Sequence, residues 1–358
     1  MHHRLKYLFF IVTTILVSCT TKNDYNSSPK ANFRALWQIL DEGYCFFEEK
    51  LPEGKTWQML YDEYEPLIDE QMSPDELFDM LECFIAELKD GHVNLFTPFD
   101  VSHYSKWRYD YPANVDDYVR YLYLGNDFRT AGSAHYTTIT YNNHAKDSIG
   151  FIIYSSFASS LSNANINAIL QRMQHCKGLI IDCRNNGGGS LTTASDFAAH
   201  FCKEEKIVAY MKYKTGPGHQ DFSLPKPVTV EPTGVIWQRP VILLTNRGMY
   251  SAANAFALYM KEMPYVTLLG DYTGGGGGMP RGSELPNGWR VRYSSSVIMD
   301  VHEKSVEFGV EPDISVQLQK DDLEKNHDTL IERAINEINK QYDKALEDDL
   351  KNFNHPIV

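Results

Sequence analysis

A serine stands between an apolar run and an alanine-rich stretch in residues 243–256, LLTNRGMYSAANAF. The apolar run predicts a buried strand, and the alanines after Ser251 predict a helix that packs closely against a sheet. The Ser251 hydroxyl would then project from the edge of the sheet, with the backbone amide of Ala252 pointing into the same space. Amides at a helix start have no partner within the helix, so they can bind an oxyanion. The alternative is that Ser251 caps the helix, which is a common role for serine.

A second group is the glycine-rich turn in residues 182–189, DCRNNGGG, which follows the apolar segment GLII. Glycines at this position allow the backbone to approach a ligand and to turn its amides toward it. A phosphate-binding loop is one interpretation, although the Lys-Ser/Thr pair of a P-loop is missing. A tight connection between a strand and a helix is the other.

A third candidate is His92, in the loop LKDGHVNL at residues 88–95 that follows an amphipathic helical pattern. This loop would lie at a domain junction, which is a suitable place for an imidazole that acts as a base. The other histidines have no such context, and we interpret most of them as surface or packing residues.

Hydrophobic periodicity predicts the elements that must position these residues. Residues 31–88 have apolar side chains three and four apart, so we expect a small helical unit there. Residues 93–148 are weakly periodic and predict short strands and loops. From residue 149 strand patterns alternate with helix patterns, which favours an α/β domain with largely parallel pairing. The charged segment at residues 321–353 predicts a peripheral helix.

These patterns divide the chain into six expected segments. They are a signal segment (1–18), a flexible tether (19–30), an N-terminal helical domain ending in the His92 loop (31–98), connecting strands and loops (99–148), an α/β core (149–345) and a carboxy-terminal tail (346–358).

The amino terminus predicts export from the cytoplasm. Polar and basic residues at positions 2–6 precede an apolar core at positions 8–17, which has the proportions of a secretory signal. The tetrapeptide LVSC resembles the lipobox of bacterial lipoproteins, which implies cleavage before Cys19 and a lipid anchor on that residue. An uncleaved anchor is the alternative. In either case we expect the chain to lie in the cell envelope, on the periplasmic or cell-surface side, and to meet the membrane through this anchor.

Charge and cysteine content argue against other classes of function. The chain has 34 Lys and Arg against 47 Asp and Glu, a net charge of −13, without a basic stripe for nucleic acid. Beyond residue 20 no apolar run is long enough to cross a bilayer. Five cysteines remain after Cys19, an odd number without CxxC spacing, so neither a metal nor a redox motif is supported.

The three groups, taken in order, resemble one family, the serine peptidases of the tail-specific (carboxy-terminal processing) and tricorn-core type. DCRNNGGGSL resembles the family pattern D-x-R-x-N-x-G-G-x-L, and TNRGMYSAANAFALYMK resembles the segment with the catalytic serine. LLGDYTGGGGG resembles its G-x-x-T-x-G segment, and VEFGVEPDISV resembles its terminal E-x-G-V-x-P-D segment. LKDGHVNL is similar to the histidine segment of the tricorn-like branch. The matches follow the family order from Phe33 to Val316.

The resemblance implies a crotonase-like β-α core and an endopeptidase that needs no metal or organic cofactor. It implies that Ser251 is the nucleophile, that His92 is the base and that Glu307 is a carboxylate supporting the histidine. The implied oxyanion hole consists of the amides of Gly188 and Ala252, with Gly189 as the near alternative. The substrate would be a peptide or protein outside the cytoplasm.

Two glycines depart from the family pattern. Gly276 stands where the tail-specific branch has a lysine base, so a Ser-Lys dyad is excluded there and a histidine base becomes necessary. Gly91 stands where the tricorn-like branch has a serine before the histidine. Contact between Glu307 and His92 would therefore have to be direct or through water.

The glycine run at residues 274–278 predicts a mobile wall of the substrate cleft that includes Gly275 and Gly276. A flexible surface loop is the alternative. Residues 93–148 are too few, and too unlike a GLGF loop, for a complete PDZ module.

Two other functions compete with the peptidase. A catalytically inactive peptide- or lipid-binding protein on the same fold would account for Gly91 and Gly276. A crotonase-like acyl-transfer or hydrolase enzyme would use similar amides, but coenzyme A would require a basic entrance and an address inside the cell.

Overall fold

The computed structural model describes residues 27–140 and 148–353. The expected signal segment, Cys19, most of the tether and the end of the tail lie outside these residues. Within the described part of the chain, none of the helices combines the length and the hydropathy that crossing a bilayer would require. The five cysteines after Cys19 are all free thiols in the structure.

The α-helices within the described ranges are α1 (Pro29–Gly43), α2 (Phe47–Lys50), α3 (Trp57–Tyr64), α4 (Pro74–Ala86), α5 (Lys106–Tyr109), α6 (Asp117–Leu122), α7 (Asn163–Arg172), α8 (Leu191–Ala198), α9 (Ala252–Lys261), α10 (Lys320–Leu323) and α11 (Thr329–Phe353). The strands are β1 (Asn94–Phe96), β2 (Arg129–Ala131), β3 (Ala134–Thr140), β4 (Ser148–Ile153), β5 (Leu179–Asp182), β6 (Lys206–Tyr213), β7 (Lys226–Val230), β8 (Val241–Thr245), β9 (Val266–Gly270), β10 (Gly278–Glu284), β11 (Arg290–Met299) and β12 (Ile314–Ser315).

Helix α4 leads directly into the loop that carries His92, and its start follows the local sequence. Ser73 Oγ accepts the Glu76 N–H, while the Glu76 carboxylate accepts the Ser73 N–H. Pro74 occupies the first helical position. This capping box fixes where the helix begins, so its buried apolar face is set before the loop is reached.

The large sheet has seven strands in the order β12-β9-β8-β5-β4-β3-β2. Strands β4, β5, β8, β9 and β12 are parallel to one another, and β2 and β3 are antiparallel additions at one side. This confirms the expected α/β class. Because β5 and β8 are parallel neighbours, the turns that follow them emerge at the same edge of the sheet. These turns carry Gly188 and Ser251.

Both faces of the large sheet are covered by helices. Helices α7, α8 and α9 bury one face, and α11 buries the other through Leu330, Ile331, Ala334, Ile335 and Ile338. The prediction of a peripheral carboxy-terminal helix is therefore wrong for the first half of α11. Its apolar residues recur three and four apart, which places them in one stripe against the sheet.

The small sheet is built around β11, which pairs with β10 along most of its length and with β1 and β6 near its two ends. Strand β7 pairs with β6. One hydrophobic cluster joins the N-terminal helices to this sheet, and it includes both Phe33 and Tyr293. The helical segment at residues 31–98 therefore completes its core with strands from the far end of the chain.

The connecting segment at residues 99–148 differs in part from its prediction as strands and loops. It contains β2 and β3, but it also forms the short helices α5 and α6. The Asp116 carboxylate accepts the Val119 N–H and caps α6. Such single-turn helices are too short to produce a periodic pattern in the sequence.

A buried group of charges holds the turn after β5. Arg184 is fully buried, and its guanidinium lies 2.6 Å from Asp182 Oδ2 and 2.9 Å from Asp328 Oδ2. The Arg184 carbonyl accepts an N–H from the buried Arg120 at 3.1 Å. Since Asp328 lies just before α11, these contacts fix the turn to both the sheet and the helix beneath it.

We expect Arg184→Gln to lower the free energy of unfolding by about 3–5 kcal/mol, because it removes the cation that pairs with both Asp182 and Asp328. Among the described residues, only Arg120, at 3.9 Å, then remains as a cation near Asp182. Urea unfolding followed by circular dichroism measures this loss. The matched control is Arg34→Gln, which removes the same charge from an exposed position on α1 and should change stability by less than about 0.5 kcal/mol. Equal stabilities for the two variants would contradict the anchoring role of Arg184.

Candidate active site

Ser251 occupies the corner between β8 and α9 in an unusual backbone conformation. Its φ is 58° and its ψ is −121°, and its side chain makes no capping hydrogen bond to the helix. The structure therefore excludes the interpretation of Ser251 as a helix cap. The Ser251 N–H donates to the Gly275 carbonyl at 2.9 Å, which holds the residue at the corner. A non-glycine residue in this region costs roughly 1–3 kcal/mol, a strain that often accompanies function.

The two turns that carry the site are joined by asparagines. The Asn185 N–H donates to Asn246 Oδ1 at 2.9 Å, and Asn246 Nδ2 donates to Asn185 Oδ1 at 3.0 Å. The Tyr250 N–H donates to the Asn186 carbonyl at 3.0 Å. Because Asn185 follows Arg184 directly, the buried charges also support the serine corner.

The predicted oxyanion residues lie beside Ser251. Gly188 has a φ of +94°, and a Cβ built on it would lie 2.8 Å from both the Ala252 nitrogen and Ser251 Cβ. Only glycine allows this approach, so the glycine-rich turn is more than a short connection. None of these contacts supports the interpretation of this turn as a phosphate-binding loop.

The amides of this turn are not equally available. The Gly188 N–H donates to Asn186 Oδ1 at 3.0 Å. Among the described residues, the N–H groups of Gly189 and Ala252 have no hydrogen-bond acceptor. Gly189 is also exposed, with a φ of +139°. In this state the free donor next to the serine is therefore Ala252, and the free Gly189 amide lies in the part of the turn that packs against Phe157 and Ala158.

His92 is 2% exposed, and its ring lies against the ring of Tyr250 with centroids 4.8 Å apart. Its backbone N–H donates to Asp90 Oδ1 at 2.7 Å, which fixes the loop. Its Nδ1 is buried and has no hydrogen-bond partner within the described ranges. Burial lowers the pKa of His92 to about 4, although the Asp90 carboxylate acts in the opposite direction. The imidazole is therefore neutral at pH 7 and able to accept a proton.

Ser251 and His92 are both neighbours of Tyr250. Ser251 follows Tyr250 in the sequence, and the His92 ring packs against the Tyr250 ring. No hydrogen bond joins the Ser251 hydroxyl to the His92 ring among the contacts of these two described residues. The structure thus brings the predicted nucleophile and base to the same tyrosine without linking them directly.

Tyr250 gives a physical reason for both glycine departures. A Cβ at Gly276 would lie 2.5 Å from Tyr250 Cζ, and a Cβ at Gly91 would lie 3.0 Å from the Tyr250 hydroxyl. The indole of Trp107 stacks on the tyrosine, with ring centroids 4.2 Å apart. Tyr250 therefore occupies the space that a side chain at position 276 would need, and Tyr250 together with Trp107, whose Nε1 atom lies 2.7 Å from the Cβ position, occupies the space at position 91.

Glu307 has Lys50, and not His92, as its direct partner. Its carboxylate is buried, and Lys50 Nζ lies 2.7 Å from its Oε1 atom. Burial and the neighbouring Asp90 raise the pKa of Glu307, and Lys50 opposes the rise. A direct contact between Glu307 and His92 is absent among the described residues, and a link through water stays a prediction.

Asp90 is the carboxylate that serves the histidine loop. Its Oδ2 atom accepts a hydrogen bond from the Tyr44 hydroxyl at 2.7 Å, and its Oδ1 atom accepts one from the Tyr250 hydroxyl at 3.3 Å. Sequence reasoning missed Asp90, although it stands two residues before His92. It also missed Lys50 and Tyr250, for which no local pattern gave a signal.

Gly275 and Gly276, expected in a mobile cleft wall, are both buried. The Gly275 carbonyl accepts the Ser251 N–H, and the Gly276 N–H donates to the Glu307 carbonyl at 3.0 Å. These backbone hydrogen bonds hold the corner that carries Ser251 and connect it to the segment around Glu307. Their role in binding substrate stays a prediction.

Metal ligation finds no support in residues 27–140 and 148–353. These ranges contain no group of three or more His, Cys, Asp or Glu side chains placed to hold an ion.

Fold and site together define a class. A parallel sheet with a strained serine at a strand–helix corner, a free amide beside it and a neutral imidazole nearby has the arrangement that serine hydrolases use. Comparison with known proteins agrees with this class. Residues 148–316 match Peptidase family S41, and residues 25–86 match the Tricorn protease C1 domain.

Individual relatives support the same assignment. A crystal structure from Parabacteroides merdae, provisionally assigned as a peptidase, is 44% identical, covers 87% of this chain and 97% of its own, and has a TM-score of 0.81. The carboxyl-terminal-processing protease of Synechocystis sp. is 28% identical over 48% of this chain and 38% of that protein. The carboxy-terminal processing protease CtpA of Bacillus subtilis is 26% identical over 50% of this chain and 37% of that protein. The chain therefore belongs to peptidase family S41, which confirms the resemblance seen in the sequence, although it spans well under half the length of the two curated relatives.

We expect Ser251→Gly to be about 1 kcal/mol more stable than Ser251→Ala, because glycine adopts the observed backbone angles without strain. Both variants lose the hydroxyl, so the difference reports the backbone alone. Urea unfolding of the two proteins measures it. A glycine variant whose free energy of unfolding is equal to or lower than that of the alanine variant would show that the corner is not strained.

We expect His92 to titrate near pH 4, since burial lowers its pKa to that value. The folded protein then binds fewer protons than the unfolded chain between about pH 6.5 and pH 4, so acidification through this window weakens the fold. Histidine-selective nuclear magnetic resonance measures the titration, and the signal that disappears in His92→Gln identifies the residue. A midpoint above pH 6 for that signal would rule out a dry, neutral imidazole.

Proposed function

We propose that this chain is a serine endopeptidase that hydrolyses peptide bonds of polypeptides outside the cytoplasm. The observation that carries the proposal is the strained Ser251, which has no capping bond and lies against Gly188 and the Ala252 nitrogen. A hydroxyl held at this cost beside a free amide has the features of a nucleophile rather than of a structural serine.

The chemistry assigns each group one role. His92 removes the Ser251 proton as Oγ attacks the peptide carbonyl, and the resulting oxyanion binds to backbone amides. Ala252 supplies one amide, and Gly189 or a Gly188 amide released from Asn186 supplies the other. His92 then gives its proton to the leaving amine, and water hydrolyses the acyl-enzyme. Asp90 is a positioning residue, because it holds the histidine loop through the backbone.

The base requires a small rearrangement. Catalytic hydrogen bonds are often absent before substrate binds and form only in the complex. Movement of the His92 ring past Tyr250 would bring a ring nitrogen to the serine. Glu307 and Lys50 lie behind this region as a buried pair, and we assign them to its support rather than to proton transfer.

The cellular setting is also a proposal. The apolar segment at positions 8–17 and the tetrapeptide LVSC support export and lipidation at Cys19. A tether of about ten residues would then hold the enzyme close to the membrane surface, where envelope polypeptides are its accessible substrates. Two curated relatives are carboxy-terminal processing proteases, which favours polypeptide tails as one substrate class.

A catalytically inactive binding protein is the second candidate. The absence of a serine–histidine bond between these two described residues favours it, as does the tyrosine that fills the space at Gly276. A binder would keep the cleft and the amides but would not turn over a peptide.

A serine-directed fluorophosphonate and an unfolded protein substrate separate the two candidates. We expect labelling and cleavage by the wild-type protein, and a loss of cleavage of about 10³-fold or more in Ser251→Ala and in His92→Gln. His302→Gln is the matched control, because His302 is exposed and its side chain is not used at the site. Peptide binding without labelling or cleavage would establish the binding protein instead.

A further inference from the structure

A pocket of about 280 Å³ opens on the small sheet. Three arginines line it, together with Phe96 and Gly282, and these are Arg281, Arg290 and Arg292. Arg281 and Arg290 are exposed, and Arg292 is half-buried.

The pairing of the strands brings Arg290 and Arg292 to one face of the sheet, whereas Arg281 lies opposite Tyr293 and therefore belongs to the other face. Arg290 lies opposite Phe96 and Arg292 lies opposite Asn94, so these four residues share one face of the sheet. Val291, between the two arginines, points to the other face and is buried with the N-terminal helices. On the neighbouring strand β10, Gly282 lies opposite Arg292 and leaves space for the pocket.

The three guanidinium groups lack acidic partners. None of them forms an ion pair within 4.0 Å among the described residues, and no carboxylate lines the pocket. Glu284 lies opposite Arg290 in register but makes no such pair. Arg292 Nη1 donates to Asn94 Oδ1 at 3.4 Å, and the Arg281 guanidinium lies 5.8 Å from the centre of the Tyr293 ring. In a chain with a net charge of −13, two arginines on one face of a pocket, Arg290 and Arg292, without acidic partners in the described structure, favour an anionic ligand.

The pocket lies within reach of a peptide bound at Ser251. Arg292 is paired with Asn94, which is two residues, or about 7 Å of extended chain, beyond His92. Burial chiefly, and Arg292 in part, lowers the pKa of His92, so the guanidinium acts on the imidazole. Gly282, which lines the pocket, comes seven residues after Gly275, whose carbonyl accepts the Ser251 N–H. Seven residues of extended chain span at most about 25 Å. An extended substrate would span this distance with roughly four to seven residues.

We propose that Arg290 and Arg292 form a subsite that binds a carboxylate of the polypeptide substrate several residues from the scissile bond. The subsite rests on the proposed function, because it selects substrates for the same centre. Planar guanidinium groups bind carboxylates through paired hydrogen bonds, which gives both orientation and selectivity. The carboxylate can come from an aspartate or glutamate side chain or from the free carboxy terminus.

Four labelled peptides of one sequence distinguish these sources. They carry either glutamate or glutamine at one position four to seven residues after the scissile bond, and either a free or an amidated carboxy terminus. Binding to the otherwise intact Ser251→Ala chain is measured by fluorescence anisotropy. We expect the preferred carboxylate to tighten binding about tenfold, and less so in 500 mM salt.

The variant R290Q/R292Q should bind all four peptides alike, and R290E should prefer a lysine at the selected position. The matched control R34Q/R172Q removes two exposed positive charges elsewhere and should keep the preference. Circular dichroism checks that each variant is folded. A preference only for glutamate identifies a side-chain subsite, and a preference only for the free terminus identifies a terminal one. Equal binding of all four peptides by the unmodified pocket would overturn the proposal.

Cleavage of the neutral, amidated peptide by the wild-type chain tests the proposed function separately. Cleavage without any charge preference would remove the subsite and leave the peptidase intact. A charge preference in binding without cleavage of any peptide would support the subsite and contradict the proposed peptidase activity.

Discussion

The ion pairs of Arg184 are the interaction on which the site depends. They lie at the point where β5 ends, and they fix the first residues of the turn to Asp182 and to the start of α11. From there the asparagine contacts carry the constraint to the turn after β8. Both turns therefore behave as one rigid unit, and this rigidity allows Ser251 to keep backbone angles that it would not adopt in a free chain. Strain at one residue is stable only when its surroundings hold it from several sides.

Tyr250 shapes the chemistry of the centre as much as the residues with catalytic roles. Its ring shields the imidazole from water, and a dry imidazole stays neutral. The same ring, together with Trp107, needs glycine at positions 91 and 276, so this chain lacks the side chains that its family places there. The absence of side chains at positions 91 and 276 and the presence of a buried aromatic ring between them belong to the same packing arrangement. A neutral histidine can accept a proton over a wide range of pH, while its lowered pKa makes it a weaker base than an exposed imidazole.

Local patterns in the sequence were enough to find the groups that sit on strand ends and helix starts. Ser251, Gly188 and Ala252 follow buried apolar runs, and the alternation of strands and helices places those runs in one sheet. His92 was indicated by its loop at a predicted domain junction, and its assignment as the base came from its family segment. The partner of Glu307 could not be predicted, because Lys50 lies in the short helix α2, far from Glu307 in the sequence, and no periodicity connects the two. The stripe on α11 was present in the sequence, but its many charges obscured the five residues that cover the sheet.

The small sheet also has a consequence for the biosynthesis of the protein. The first helices bury Phe33 and its neighbours against Tyr293 and other residues of β11, and the Asn287 N–H donates to Asn32 Oδ1 at 3.0 Å. Contacts this distant in sequence form slowly, because a long loop must close before they are made. A ribosome must therefore release nearly three hundred residues before the earliest helices find their permanent neighbours, and the nascent chain remains without a finished core until then.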